Sequence, residues 1–370
     1  MAHTHSRRSM LKLAGTAALA VPATVLDAQD RPPSERPGTP AICLEAGAAL
    51  GDAAADAAAA ARRIRQLGVD HVIGGGGRMP WEEARLAQLM ARLAANGLRL
   101  ANLMIAGFPN AIYNRPGRDA DIEQVIASIR AAGRVGLPVV EYNWYAHRAM
   151  EGYFEETGRA GAGWTGFDYA RMKDLPPLPE EGAHTLDEMW GNITYFLGAV
   201  VPEAEKAGVR LALHPNDPPA PLSRGSQQIM GTIDGWKKLV AIVDSPANGI
   251  TFDCGVTREM GGDPVDVCRW FAARDRINHV HFRNVIVQKP YERYTEVFID
   301  EGENDMFAVM KELLRQEYSR AIYPEHPRAI DYDRERPEFR SMYPGGGGYA
   351  GFAFNVGYTR AMLQAARAQC

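Results

Sequence analysis

The chain has 370 residues, of which 46% are hydrophobic and 23% are charged, a composition typical of a globular protein that can bury a sizeable core. Its 41 Lys and Arg residues nearly balance its 45 Asp and Glu residues, which leaves a formal net charge of −4. This balance selects no strongly acidic or basic partner, and the sequence has no basic stripe with interleaved aromatic residues, so nucleic acid is not expected as a partner.

The first 28 residues are predicted to be an export signal. Arg7 and Arg8 precede an apolar run that extends through Leu26, a pattern typical of a twin-arginine signal peptide. The run is short for a bilayer span, which needs about 20 apolar residues, so we expect no stable membrane span after signal removal. An N-terminal anchor or an amphipathic first helix is the alternative. The sequence therefore predicts an exported, periplasmic protein, with a Pro-rich linker at residues 29–40.

From Ala41 onward, short apolar runs alternate with longer segments of helical period. The predicted strands are Ala41–Glu45, His71–Ile73, Arg99–Ile105, Leu137–Tyr142, Val209–His214, Gly249–Asp253, Ile277–Arg283 and Arg320–Glu325. The predicted helices are Asp52–Leu67, Trp81–Asn96, Asp119–Ala132, Leu186–Ala207, Ile233–Val243, Pro264–Ala273, Asp305–Gln316 and Phe352–Ala368. An irregular stretch rich in Gly, Pro and aromatic residues separates the fourth strand from the helix that begins at Leu186.

Eight strand–helix pairs are the number that closes a parallel barrel, so we predict an α/β fold with a single (β/α)8 TIM barrel over residues 41–370. A doubly wound open sheet is the main competitor. That fold normally carries a Gly-rich phosphate loop after its first strand, and the segment Ala46–Gly51 matches such a loop poorly.

Polar residues stand at the ends of four successive predicted strands: His214, Asp253, His281 and Glu325. Because the C-terminal ends of barrel strands meet at one rim, we expect these side chains to lie close together. Two imidazoles and two carboxylates form a mixed nitrogen and oxygen set that suits Mn²⁺, Fe²⁺, Co²⁺ or Zn²⁺. The sequence thus predicts a site for one divalent metal, Mn²⁺ or Fe²⁺ before the others.

Each of these residues also has a purely structural interpretation. Asp253 is suited to cap the loop that follows it, and Cys254, the alternative ligand to Asp253, is typical of a small buried hydrophobic residue. His279 shares a strand face with His281 and is expected to support the site from inside the barrel. A cluster of four candidates on consecutive strands nevertheless favours a metal.

The four cysteines are far apart and lack a CxxC spacing, so neither a zinc ribbon nor a disulfide framework is indicated. They are Cys43, Cys254, Cys268 and Cys370.

The motifs around the predicted site resemble those of the mannonate dehydratase family, which belongs to the xylose isomerase-like class of TIM barrels. The matching segments are Tyr142–Trp144, Arg159–Ala162, Thr165–Asp168, His214–Pro219, Gly249–Gly255, His281–Val285 and Phe298–Met306. They occur in the right order over most of the chain after the linker. The resemblance implies an enzyme that uses Mn²⁺ or a similar ion to dehydrate D-mannonate to 2-keto-3-deoxygluconate.

The resemblance also implies roles for individual residues. His214 and His281 match the histidine ligands, and His326 and Tyr349 match a catalytic histidine and tyrosine. This sequence departs from the family pattern at two ligands, since Asp253 stands where a cysteine is usual and Glu325 where an aspartate is usual. An oxygen ligand is a harder Lewis base than sulfur, and the site still suits a divalent metal. The departure therefore bears on the identity of the substrate more than on metal binding.

Dehydration of a sugar acid removes the proton beside the carboxylate and expels the hydroxyl on the next carbon, so it needs an acid and a base. His326 and Tyr349 are the candidates, with either direction open. Asn143 and Trp144 are predicted to bind substrate, and Arg159 or Arg283 to pair with its carboxylate, although a salt bridge within the protein is the alternative for either arginine.

Two other functions fit the same sequence. One is a metal-dependent sugar isomerase or epimerase on the same barrel, which would release no water. The other is an exported sugar-acid binding protein without catalysis. The sequence leaves open whether copies of the chain form a homo-oligomer.

Overall fold

The computed structural model describes residues 38–145, 147, 150–336, 338, 341 and 343–369. The predicted signal peptide and most of the predicted linker therefore lie outside the described residues, and export stays a prediction. No helix in the described ranges is long and apolar enough to cross a membrane.

Fourteen strands occur among the described residues. They are β1 (Ala41–Glu45), β2 (His71–Gly75), β3 (Arg99–Ile105), β4 (Val139–Tyr142), β5 (Tyr153–Thr157), β6 (Gly163–Asp168), β7 (Arg210–Leu213), β8 (Leu222–Ser223), β9 (Ser226–Gln227), β10 (Asn248–Asp253), β11 (Ile277–His281), β12 (Val285–Lys289), β13 (Arg293–Glu296) and β14 (Ala321–Tyr323). Eight of them close a barrel in the order β1-β14-β11-β10-β7-β4-β3-β2, and every pairing in it is parallel. The predicted single TIM barrel is confirmed.

Helices follow the barrel strands, as the sequence predicts. They are α1 (Ala54–Gln66), α2 (Glu83–Ala95), α3 (Pro109–Ile112), α4 (Arg118–Arg134), α5 (Leu186–Ala207), α6 (Ile233–Ile242), α7 (Cys254–Glu259), α8 (Pro264–Ala272), α9 (Met306–Arg315), α10 (Asp331–Arg334) and α11 (Tyr349–Arg367). Helix α5 shows how local sequence signals set the first and last residues of a helix. A capping box of Thr185 and Glu188 begins it, and Gly208, in the left-handed conformation, ends it.

The stretch predicted to be irregular after β4 contains two strands, which corrects that prediction. Strands β5 and β6 join β12 and β13 in a four-stranded antiparallel sheet of order β12-β13-β6-β5, here called the accessory sheet. Its strands lie in the loops after β4 and β11, at the C-terminal rim of the barrel. A small apolar cluster that includes Tyr153, Phe167 and Tyr294 packs on it. The accessory sheet therefore adds a wall beside the predicted site.

The main core is one apolar cluster that runs from the barrel strands to the surrounding helices. Cys43, Cys254 and Cys268 are free and buried. Cys370 lies outside the described residues.

Candidate metal centre and active site

The structure brings the four predicted metal ligands together at the C-terminal rim. The Nε2 atom of His214 lies 3.3 Å from Nδ1 of His281. The same Nδ1 atom lies 3.0 Å from Oε1 of Glu325 and 4.0 Å from Oδ2 of Asp253. Two ligands on one ion are separated by such distances when each bond is about 2.0–2.2 Å long. Donor atoms of His214, Asp253 and His281 all lie within 4.8 Å of one another, close enough to share one ion, and Glu325 lies beside His281.

The chemistry of the donor atoms also fits a divalent cation. Nδ1 of His214 contacts the Pro215 carbonyl oxygen at 2.7 Å, and with the proton on Nδ1 its Nε2 lone pair faces the other ligands. Burial, aided by nearby His281, lowers the pKa of His214 to about 4, so the ring is neutral near pH 7. Burial also lowers the pKa of His281. Neutral imidazoles and carboxylates are the forms that bind metal.

Asp253 combines the two interpretations that the sequence left open. Its Oδ1 accepts a hydrogen bond from the backbone N–H of Val256 at 2.9 Å and so caps α7. Its Oδ2 points towards His281 and accepts from Nε of Arg283 at 3.1 Å. Burial raises the pKa of Asp253 to about 6, against the opposing charge of Arg283. The alternative ligand, Cys254, packs in the hydrophobic core.

Arg283 is surrounded by carboxylates. It does not line the cavity described below, where a residue that pairs with the substrate carboxylate would lie. Its side chain is 2% exposed. The carboxylates around it, with their shortest distances to the guanidinium, are Glu259 at 2.7 Å, Asp253 at 3.1 Å, Glu325 at 3.2 Å, Asp217 at 3.4 Å and Glu296 at 3.7 Å. Arg283 therefore holds these acids together, as in the salt-bridge alternative.

His326 stands beside the centre with two carboxylates. Its Nδ1 lies 2.9 Å from Oε2 of Glu296, and its Nε2 lies 3.5 Å from Oε2 of Glu325. Burial alone would lower the pKa of His326, but the charges of Glu296 and Glu325 outweigh burial and raise it. Its backbone is in the left-handed region, with φ of 45°, a conformation that places strain on a side chain larger than glycine.

A cavity of about 640 Å³ opens over the centre. Five of the six predicted catalytic or ligand residues line it, and so does Asn143. Those five are His214, His281, Glu325, His326 and Tyr349. Tyr349 is the first residue of α11, and its hydroxyl donates to the Arg63 carbonyl oxygen at 3.1 Å.

Besides Arg283, two further predicted substrate-binding residues are not on the cavity wall. Trp144 is buried among aromatic side chains, with its ring 5.0 Å from that of Phe196. Arg159 pairs with Asp300 at 2.8 Å and lies 4.0 Å over the Phe298 ring. In this conformation both residues make structural contacts, because burial and ion pairing occupy the groups that would face a substrate.

Sequence reasoning missed Glu141 and Glu296. Glu141 lines the cavity from β4, with Oε1 3.6 Å from Nε2 of His281. Glu296 lies at the end of β13 in the accessory sheet, and its Oε2 is within hydrogen-bond distance of Nδ1 of His326. A charged residue inside an apolar strand run was the only sequence signal for Glu141, and none existed for Glu296.

The fold and this site together define an enzyme of the xylose isomerase-like TIM-barrel class. A xylose isomerase-like TIM barrel protein from Mycobacterium smegmatis, solved with magnesium, has the same fold at 14% identity, with a TM-score of 0.57 over 88% of this chain and 97% of that one. The D-mannonate dehydratase (UxuA) family matches residues 183–369. The chain belongs to the mannonate dehydratase family, whose members are hydro-lyases.

Individual relatives agree with this assignment. A mannonate dehydratase of Streptococcus suis (strain 05ZYH33) is 30% identical over 254 residues, which is 62% of this chain and 69% of the relative. The crystal structure of mannonate dehydratase from Streptococcus suis serotype 2 superposes with a TM-score of 0.73 at 25% identity, over 82% of this chain and 89% of that chain.

Proposed function

We propose that this enzyme dehydrates D-mannonate to 2-keto-3-deoxy-D-gluconate and that it needs one divalent ion, Mn²⁺ or Fe²⁺. The observation that carries the proposal is that the His214 imidazole and the Asp253 and Glu325 carboxylates, from neighbouring strand ends, lie 3.0–4.0 Å from one ring nitrogen of His281. Membership in the mannonate dehydratase family supports the substrate.

His214, Asp253, His281 and Glu325 would hold the ion. When bound, a dication supplies polarisation of the substrate carboxylate and stabilises negative charge that develops during proton removal. The buried arginine at position 283 keeps Asp253 and Glu325 at the centre, because its Nε lies 3.1 Å and 3.2 Å from their oxygens.

His326 is the proposed general acid. Glu296 and Glu325 raise the pKa of His326 and so favour the protonated ring, and the residue lines the cavity. That proton is available to the hydroxyl that leaves the carbon next to the carbanion centre. Tyr349 faces the same cavity and is proposed to take part in removal of the proton beside the carboxylate. Asn143, also on the wall, is suited to bind a substrate hydroxyl.

The test is incubation of the purified chain with D-mannonate and Mn²⁺, followed by colorimetric detection of a 2-keto-3-deoxy acid. The His214→Ala variant should lose both bound metal and turnover, because it removes a nitrogen ligand. His71→Ala is the matched control, since His71 stands at the start of β2, at the opposite end of the barrel, and pairs with Asp70. Retention of metal and full turnover by His214→Ala would show that the centre is misplaced. An isomerised sugar acid without loss of water would contradict the dehydration.

A further inference from the structure

Glu141 lies directly behind His281 as seen from the proposed metal centre. One ring nitrogen of His281, Nδ1, faces His214 and Glu325. The other, Nε2, lies 3.6 Å from Oε1 of Glu141. Both side chains are at most 6% exposed. The two faces of one imidazole ring thus meet two different sets of groups.

The Glu141 carboxylate is fixed from both sides. Nδ2 of Asn102, on β3, donates to Oε2 at 2.7 Å. The hydroxyl of Thr251, on β10, donates to Oε1 at 2.7 Å. Neither donor side chain is more than 1% exposed. Burial raises the pKa of Glu141, and the two donors oppose that rise while leaving each oxygen a further lone pair for the ring.

Nε2 of His281 has no hydrogen-bond partner within the described part of the chain, although it is buried. A buried N–H without a partner is costly, so the favourable arrangement closes the 3.6 Å gap to a charge-assisted hydrogen bond. We propose that Glu141 is a positioning residue for His281: it accepts the Nε2 proton and thereby keeps the Nδ1 lone pair directed at the metal.

This arrangement is a carboxylate–histidine–metal triad, in which the carboxylate fixes the tautomer of the histidine and raises its basicity as a ligand. The inference rests on the proposed metal centre, and it concerns affinity for the ion rather than the identity of the sugar acid. Loss of such a supporting group typically weakens metal binding 10–100-fold.

The experiment measures the dissociation constant for Mn²⁺ by competition with a chelator, on the metal-free chain, together with the number of ions bound. Glu141→Gln keeps the volume and removes the charge, and it should weaken Mn²⁺ binding about 10–100-fold while one ion is bound per chain. Thr251→Val removes one donor to the carboxylate and should give a smaller loss in the same direction.

Glu312→Gln is the matched control, because Glu312 is also a glutamate of 3% exposure but lies on α9 and pairs with Arg269. Its affinity for Mn²⁺ should equal that of the parent. Unfolding of every variant is measured without metal, which separates a loss of affinity from a loss of folding. A purely structural role for Glu141 predicts a less stable metal-free chain with unchanged affinity for Mn²⁺, and that result would overturn the inference.

His279 provides a second outcome that would overturn it. Its ring nitrogen, together with atoms of Glu141 and His281, forms a group of ligand atoms within 4.8 Å of one another. If the parent binds two ions and Glu141→Gln binds one, then Glu141 is itself a ligand. Turnover of D-mannonate does not enter this measurement. If the chain binds Mn²⁺ with the predicted dependence on Glu141 but leaves D-mannonate unchanged, the proposed reaction is contradicted and the role of Glu141 is not.

Discussion

At the scale of single residues, the positions of the proposed ligands were predictable from the sequence, whereas the groups that hold them in place were not. His214, Asp253, His281 and Glu325 follow apolar runs in sequence, and a parallel barrel brings all such ends to one rim. Their partners are set by side-chain direction and by distant chain segments. Glu296 is 30 residues from His326 and lies on the accessory sheet, whereas His326 follows the barrel strand β14. No local pattern records that pairing.

Glu296 should control the protonation of His326. Its Oε2 lies 2.9 Å from Nδ1 of the ring and is itself held by Arg328 at 3.0 Å. Glu296→Gln removes a charge that raises the pKa of His326, so the protonated ring is lost at lower pH. If His326 is the acid, the fall in kcat on the alkaline side moves to lower pH. The value of kcat itself should drop about 10-fold or more, which is part of the ~10²–10⁴-fold that a positioned acid supplies.

The pH profile of kcat checks this expectation. Glu155→Gln is the control, because Glu155 lies on β5 of the same accessory sheet but pairs with the exposed Arg334. An unshifted alkaline limb in Glu296→Gln, with normal kcat, would rule out control by Glu296.

At the scale of elements, helix capping and hydrophobic periodicity were enough to predict the barrel. The accessory sheet depends instead on pairing between strands that are far apart in the sequence. Predicted and observed bounds coincide for Ala41–Glu45, Arg99–Ile105 and Leu186–Ala207, each marked by a strong apolar pattern. Strands β5 and β6 sit in a segment rich in Gly and polar residues. Their buried face is completed by Tyr294, more than 120 residues away in sequence, so their stability comes from a partner that sequence alone does not reveal.

Helix α11 begins at a site held by one aspartate. The Asp333 carboxylate is 1% exposed and accepts the backbone N–H groups of Gly348, Ala350 and Gly351, each at 2.9 Å. It thereby fixes the first turn, where Tyr349 lies. Asp333→Ala should lower the free energy of unfolding by about 2 kcal/mol, because three buried or part-buried N–H groups at the start of the helix lose their acceptor.

Denaturant unfolding measures this loss. Asp333→Asn keeps one acceptor oxygen and should lose less, and Asp331→Ala, at the exposed start of α10, should be close to neutral. Equal stability of Asp333→Ala and Asp331→Ala would mean that water replaces the aspartate at no cost.

At the scale of the whole molecule, the family match and the site fall in the same half of the barrel. Residues 183–369 contain β7, β10, β11 and β14, whose ends carry all four proposed ligands. The first half supplies cavity walls and the carboxylate behind His281. One apolar cluster spans both halves, so we expect the barrel to unfold as a unit and the ion to stabilise all of it.

Removal of metal should therefore lower the unfolding temperature of the entire barrel. A ligand present at about 100 times its Kd stabilises the folded state by about 2.7 kcal/mol if it does not bind the unfolded chain. For a chain of this size, that free energy corresponds to a shift of about 3–4 °C. Chelation by EDTA should give this decrease in scanning calorimetry, and added Mn²⁺ should reverse it. The His214→Ala variant should show no shift with Mn²⁺, since it lacks a ligand. A parent chain with the same unfolding temperature in EDTA and in Mn²⁺ would contradict an ion bound at the barrel rim.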